Sequence, residues 1–525
     1  MKQPIPIVDL FAGPGGLGEG FSSVNNELGE RAFEIKVSIE MDPHAHATLE
    51  LRALYRSLLQ IGTPDAYYDY IKGNISETEF LRNPRANEAH GEAVAEAHCL
   101  ELGNDPKKKI DMLIGNAVSQ VDDWVLIGGP PCQAYSMAGR SRRISDPSFQ
   151  DDPKHFLYRE YLRIIRKFKP AVFVMENVKG MLSSTHKGQL IFERIISDLS
   201  APALGIYYDI RSFTVSAQGE LQPKDYVIEA ERYGVPQTRH RVILLGVRTD
   251  RAGQAHKILN PLQDTVSVNQ ALAGMPEVRS RLSKELDSVD AWLGALNEAK
   301  GSLKGWKSPL RLGIEQEMAA ACSRAANIQS GGSEFIATTS DQLDQMPVPL
   351  SSWLQDKRLG GVLHHETRSH MRSDLHRYLF AACFSKRMGY STKLGFYPQR
   401  LLPNHRNVSD ETVPFQDRFR VQVGSLPSTT VVSHIAKDGH YYIHPDPAQC
   451  RSFTVREAAR LQTFPDNYFF SGNRTQKYHQ VGNAVPPYLA YQLGKSVFEL
   501  MTQTEKVGRR EVKKMQPRLF ADEAF

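Results

Sequence analysis

Cysteine is scarce in this chain. The five present, Cys99, Cys132, Cys322, Cys383 and Cys450, stand far apart and form no CxxC pair. Their odd number and wide spacing exclude a disulfide framework and point to a reducing compartment. The same spacing leaves no structural zinc site, and His364, His365, His370 and His376 cluster without regular ligand spacing, so no metal is expected. No run of ~18 apolar residues is present, which excludes a membrane helix. The opening MKQPIPIVDL enters a strand directly, without the layout of a signal peptide. These features predict a cytoplasmic protein. There is no internal repeat. Excess charge of either sign is also lacking: the net charge is +5 over 525 residues, which neither demands nor excludes a nucleic-acid partner.

What is there has a clear order. The runs IPIVDLF, FEIKVSIEM, WVLIGG, AVFVMENV and RVILLGV are short, apolar and β-branched, with helical stretches such as FLYREYLRIIRKF between several of them. This alternation predicts a doubly wound α/β sheet over residues 1–250. Residues 61–120 read as extra helical material. Beyond 251 the strand signals fade, and DSVDAWLGALNEAK and IEQEMAAACSRAA read as surface helices. From Lys357 to Arg406, ten basic residues accompany two acids. Such a region can neutralise phosphates, although a merely solvated surface uses the same residues. Helical patterning returns in TVREAARLQTF and PPYLAYQLGKSVFELM, before a basic tail.

Four stretches carry chemistry. In DLFAGPGGLGEGF, Gly13, Gly15 and Gly18 fit G-x-G-x-x-G after a strand. Glu40 lies at roughly the distance (~20 residues) where dinucleotide folds place an acid for a ribose hydroxyl. NAD, S-adenosylmethionine and a plain turn with glycines for close packing all fit that loop. In WVLIGGPPCQAYSMAGR, Cys132 follows a strand end on a Gly-Gly-Pro-Pro turn. It is a candidate nucleophile or a buried structural thiol. AVFVMENVKG leaves Glu176 and Asn177 at a second strand end. YGVPQTRHRVILLGV sets Gln237, Arg239 and Arg241 at alternating positions, hence on one face.

Taken together, these segments resemble those of the cytosine-5 DNA methyltransferases. DLFAGPGGLGEGF resembles the family's first motif, GGPPCQAYS its Pro-Cys motif, MENVKG its Glu-Asn-Val motif and YGVPQTRHR its Gln-x-Arg-x-Arg motif. RSFTVREAARLQTFPDNY resembles the segment after the target-recognition region, and QVGNAVPP the last motif. They occur in family order. The resemblance implies an S-adenosylmethionine-dependent, Rossmann-like methyltransferase domain over 1–250 and a smaller target-recognition domain over 251–427 with a helical insert. It further implies a return segment over 428–502 and a basic tail over 503–525.

It also implies roles. Cys132 is the nucleophile, Glu176 contacts the cytosine ring, Arg241 holds its O2 and Arg239 supports that side. Phe11, Gly13, Gly15, Gly16, Glu40, Met41, Pro131, Leu157 and Asn483 hold S-adenosylmethionine, which displaces NAD as the reading of the loop. The usual Gly-Asp-Ile is missing, and Asn74, Glu101 and Asp111 compete for the adenine amine. Arg140, Arg142 and Arg143 lie on a loop able to close over the site. HHETRSHMRSDLHRYLF has the chemistry to grip phosphate and read guanine. The expected partner is double-stranded DNA, with a separately encoded restriction endonuclease, for a monomer in the cytoplasm at the nucleoid. A tRNA cytosine-5 methyltransferase and a catalytically silent DNA-binding regulator are the rival readings.

Overall fold

The computed structural model describes residues 3–131, 157–186, 189–216, 220–251, 255–338, 345–403 and 417–503. Cys132, Arg140, Arg142, Arg143, Arg406 and the tail beyond 503 lie outside the described residues. The fold is doubly wound α/β around one eight-stranded sheet. Its strands are β1 (Ile5–Leu10), β2 (Phe33–Glu40), β3 (Ala97–Cys99), β4 (Val125–Gly128), β5 (Val172–Val178), β6 (Tyr208–Arg211), β7 (Val227–Glu229) and β8 (His240–Arg248). In space they run β3-β2-β1-β4-β5-β8-β6, with β7 also on β8. β3, β2, β1, β4 and β5 pair in parallel, whereas β8 is antiparallel to β5, β6 and β7.

The apolar strands look to both faces because each face is covered. Val8, Leu10, Val37 and Ile39 pack against the helices Lys107–Val118, Tyr158–Phe168 and Ile191–Ser200. Ile7, Ile35, Val125, Ile127 and Ile243 pack the other way, with α1 (Gly16–Ser22) and the late helix Pro487–Thr502. The segment after 428 thus supplies part of the layer on this face of the sheet. Gly20 permits that docking, since a Cβ there would lie 2.4 Å from Ala490 Cβ.

The extra material between β2 and β4 is helical except for one short strand. α2 (Pro43–Ile61) starts on Asp42, whose carboxylate accepts from His44 N and Ala45 N, with Pro43 in the first turn. The helices Asp65–Ile71 and Pro84–Glu96 pack on α2 and on Leu359 and Leu363 from far along the chain. β3 then adds to the edge of the sheet through Ala97, His98 and Cys99.

Residues beyond 280 build a core of their own. Trp292, Leu296, Ile314 and Met318 meet Leu375, Leu379 and Phe380. The helices Val289–Lys300 and Arg311–Ala325, expected at the surface, thus bury one face in that core. No described helix is long and apolar enough to cross a membrane.

Candidate functional site

The strand order reverses between β1 and β4, and ligands in open α/β sheets gather outside the carboxyl ends of strands at that point. Two of the stretches singled out above leave the sheet there. Phe11 follows β1 with φ +56°, a left-handed conformation unusual for a residue with a side chain. Its half-buried ring packs against one sheet core. Gly13 (φ +58°) has nothing within 4 Å of a Cβ position, so its outer side is open.

The other glycines of the loop have packing reasons. A Cβ on Gly15 would meet Leu49 and Tyr468, one on Gly16 would lie 2.3 Å from the Val485 carbonyl, and one on Gly18 would press on Ile35 and Asp9. The Tyr468 hydroxyl donates to the Pro14 carbonyl at 2.5 Å, so the return segment clamps the loop from above.

Glu40 ends β2 and faces the same loop. Its carboxylate accepts from Gly13 N and Asp42 N, both at 2.8 Å, and each oxygen keeps a further acceptor position. Burial pushes its pKa up, opposed by those backbone donors. Met41 is half-exposed next to it. Leu100 N donates to the Glu40 carbonyl, bringing the segment after β3 alongside. Leu157 closes that side, with Cδ2 3.2 Å from the Cβ position of Gly103.

Asn483 ends the helix Arg474–Asn483 with its side chain exposed, two residues before the Val485 carbonyl that touches Gly16. The three residues competing for an adenine amine are separated by the fold. Asp111 bridges Arg163 and Lys167, Asn74 bonds Asp69 in a remote turn, and only Glu101 stands at the carboxyl end of a parallel strand.

β8 runs antiparallel, so its first residues reach the edge where β5 ends. Arg241 pairs with Val178 in register. Its Nε lies 2.9 Å from Glu176 Oε1, both side chains being about one-seventh exposed. Burial lowers the Arg241 pKa, and Glu176 opposes that shift. The pair faces the Pro turn: a Cβ on Gly129 would lie 3.0 Å from Glu176 Oε2, which explains a glycine there. Asn177 fixes the turn by donating to the Pro130 carbonyl at 3.2 Å. Gly129, Pro130 and Pro131 then lead straight to position 132.

Arg239 lies fully buried, and its guanidinium donates to the carbonyls of Val431 (2.8 Å) and Gly482 (3.3 Å). Gln237 does similar work, bonding Leu461, Gln462 and Val431. Two of the three alternating polar residues therefore tie the strand to the return segment, and Arg241 meets the carboxylate.

The basic stretch that begins at Lys357 is mostly occupied within the fold. Arg368 donates to the Ile435 and Lys437 carbonyls, Arg372 bridges Glu285 and Glu298, and Arg377 bonds the Leu401 carbonyl and Asp374. His364 donates from Nδ1 to Glu334 and accepts Phe470 N at Nε2. His365 is held between Thr454 and the Pro276 carbonyl. Each imidazole has its own partners, and among the described residues no three potential ligands converge on a metal position.

Comparison with known proteins agrees with this architecture. The model of the family described as C-5 cytosine-specific DNA methylase matches residues 94–499. The Type II methyltransferase M.Bpa9945I of Bacillus paralicheniformis is 32% identical, over 94% of this chain and 99% of its own. The Type II methyltransferase M.AgeI of Thalassovita gelatinovora is 26% identical, over 93% and 98%. With a carboxylate and a guanidinium joined beside a Pro turn, and a family match over most of its length, the chain belongs to the C-5 cytosine-specific DNA methylases and is a DNA cytosine-5-methyltransferase.

Proposed function

We propose that the chain transfers the methyl group of S-adenosylmethionine to carbon 5 of a cytosine turned out of duplex DNA at one short sequence, through a covalent bond between Cys132 and carbon 6. The observation that carries this reading is the 2.9 Å Glu176–Arg241 pair, set against Gly129 on the turn that leads to Cys132. The residues at the neighbouring strand ends fit an adenosine. Glu40 offers acceptor positions to ribose hydroxyls, Phe11, Met41 and Leu157 offer apolar surface to the base, and Glu101 offers an acceptor to the adenine amine. Gly13, Gly15, Gly16 and Pro131 supply backbone, and Asn483 a free amide. Bound there, S-adenosylmethionine supplies an electrophilic methyl group.

Cytosine carbon 5 is a poor nucleophile until carbon 6 is attacked. Cys132 adds to carbon 6 as a thiolate, which turns the ring into an enamine. A thiol of ordinary pKa (~8.5) is only slightly ionised at neutral pH, and a guanidinium such as that of Arg241 would favour the reactive form. Glu176 shares a proton with N3 and bonds the exocyclic amine, and Arg241 holds O2, so both offset charge developing on the ring. After carbon 5 gains its methyl group, its proton leaves to water and Cys132 is expelled. The base must leave the stack first, at a cost of a few kcal/mol. The relatives are named as Type II methyltransferases, which supports a role in a restriction–modification system beside a separately encoded endonuclease. One chain carries both catalytic and recognition parts, which suits a monomer.

Purified protein, plasmid and S-adenosylmethionine, read by base-resolution mapping of methylated cytosines, test this directly. Marks at one motif, absent with Cys132→Ser, are expected. No marks on duplex DNA with cofactor binding intact would overturn the reading and lead to tRNA, then to a silent regulator.

A further inference from the structure

If the arginines of the histidine-rich segment hold the fold together, the cations that contact DNA sit elsewhere. Lys393 is exposed and Arg418 partly exposed, and neither has an ion-pair partner among the described residues. Lys393 lines a cavity of about 270 Å³ together with Ser391, Asp417, Arg420, Leu426 and Thr429, among others, and Arg418 follows Asp417 in the chain. Arg420 is presented rather than loose: Asp417 pairs with its guanidinium, which lies over the Tyr441 ring.

The cavity floor is rigid. The buried Gln422 amide donates to the Tyr441 carbonyl and the Thr429 hydroxyl and accepts from Thr429 N. Ser391 Oγ accepts from Val421 N at 3.0 Å, which leaves its own proton for a ligand. Beside the rim, Tyr390 and Phe396 are each 45% exposed and rest on Phe384.

Position decides what fills such a cavity. Thr429 pairs with Thr238, and the Thr430 hydroxyl donates to the Thr238 carbonyl. Thr238 precedes Arg241 by three residues, about 10 Å of extended chain, or roughly three base-pair steps. The wall therefore lies within reach of a duplex whose target base meets Glu176 and Arg241.

On the reading of the chain as a DNA methyltransferase, we propose that this wall is the base-reading surface. Arg420 recognises a guanine roughly three base pairs from the target cytosine, and Lys393 and Arg418 hold phosphate. An arginine oriented by a carboxylate and an aromatic ring presents the planar fork that pairs with guanine O6 and N7. Lysine and unpaired arginine supply charge without sequence.

The test uses the full chain with Arg420→Ala, Arg420→Lys and Lys393→Ala, each checked by thermal melting. Binding to fluorescent duplexes with and without the mapped target is followed from about 50 to 200 mM salt, alongside the methylation map. Lys393→Ala should weaken both duplexes alike and lower the salt slope by about one. Arg420→Ala should reduce the preference for the target duplex about 10- to 100-fold and relax the marked motif at one position, and Arg420→Lys should not restore it. If all three variants keep the wild-type affinity, slope and motif, the proposal is overturned and the wall becomes a surface for a protein partner. If the wild type marks no cytosine, it is the catalytic reading that fails, and the salt slope on plain duplex still decides for the wall.

Discussion

Arginine does two different jobs in this molecule, and the contrast between Arg239 and Arg241 shows it at closest range. Both come from one short motif and both are well buried. Arg241 ends on a carboxylate at the open edge of the sheet, whereas Arg239 ends on two main-chain carbonyls of the return segment. The same division recurs on a larger scale. Farther along the chain Arg368, Arg372 and Arg377 close internal contacts, while Lys393 and Arg420 line a cavity. Counting charges along a chain cannot separate the two jobs, because the partner decides which one a guanidinium does.

The sharpest way to test the contrast is at the reacting edge. Glu176→Gln keeps the shape of the side chain and an acceptor for Arg241 but removes the shareable proton. Its kcat should fall about 10²- to 10⁴-fold, with little change in melting temperature. Single-turnover methyl transfer to a target duplex reads this directly. Equal losses of activity and stability would mean that the pair is only a strut.

Arg239→Ala should show the reverse. It leaves the Val431 and Gly482 carbonyls without their donor and opens a cavity between strand and return segment. Such losses sum to about 2–4 kcal/mol, read as a lower urea midpoint. Arg239→Met, which fills the space without donating, should recover part of this. Arg241→Ala should cost less stability and more activity. A reversal of that order would break the division of labour argued here.

A smaller effect comes from pH. Burial holds His364 neutral down to about pH 3 and His365 down to about pH 4. In the unfolded chain each imidazole takes a proton near pH 6.5. Between those values the unfolded state binds more protons, so stability is full above pH 6.5 and declines on acidification. By pH 4.5 each histidine should remove about 2–3 kcal/mol. Urea midpoints measured at intervals from pH 7 to 4.5 should therefore fall steeply, and His365→Gln should flatten the curve. A flat wild-type curve would mean that these imidazoles are charged or exposed.

Much of the sheet was legible in the sequence because β1, β2, β4, β5 and β8 lie in apolar, β-branched runs. AHC, YDIR and VIE were not, since each is short and carries polar or charged residues, and becomes a strand only because a neighbour offers free hydrogen bonds. Trp292 and its alanine-rich helix, and the helix bearing Met318, read as surface because small residues make a weak apolar stripe. At the candidate site Glu176, Arg241 and the glycine loop stood out in the sequence by residue type and order. The clamps were not. Tyr468 on Pro14 and Asn177 on Pro130 look like ordinary turn residues until the distant chain arrives. RSFTVREAARLQTFPDNY stands out as a motif, yet its arginines serve the fold. Arg451 pairs with Glu457, Arg460 with Asp466, and Arg456 caps the Leu363, Pro465 and Tyr468 carbonyls.

The smallest expected effect tests the segment whose charge misleads most. Arg372 belongs to HHETRSHMR, the stretch best suited by composition to DNA, and it bridges Glu285 and Glu298 at the start of the helix Arg372–Met388. If it serves the fold, Arg372→Ala should lower the melting temperature slightly and leave the salt slope of DNA binding unchanged. Lys393→Ala, a change of equal charge, should do the opposite. The two variants differ only in whether an acid already sits on the cation, so measuring both slopes on one duplex isolates that difference. A slope that drops by about one for Arg372→Ala as well would mean that its carboxylate partners yield to phosphate, and the recognition face would extend to this helix.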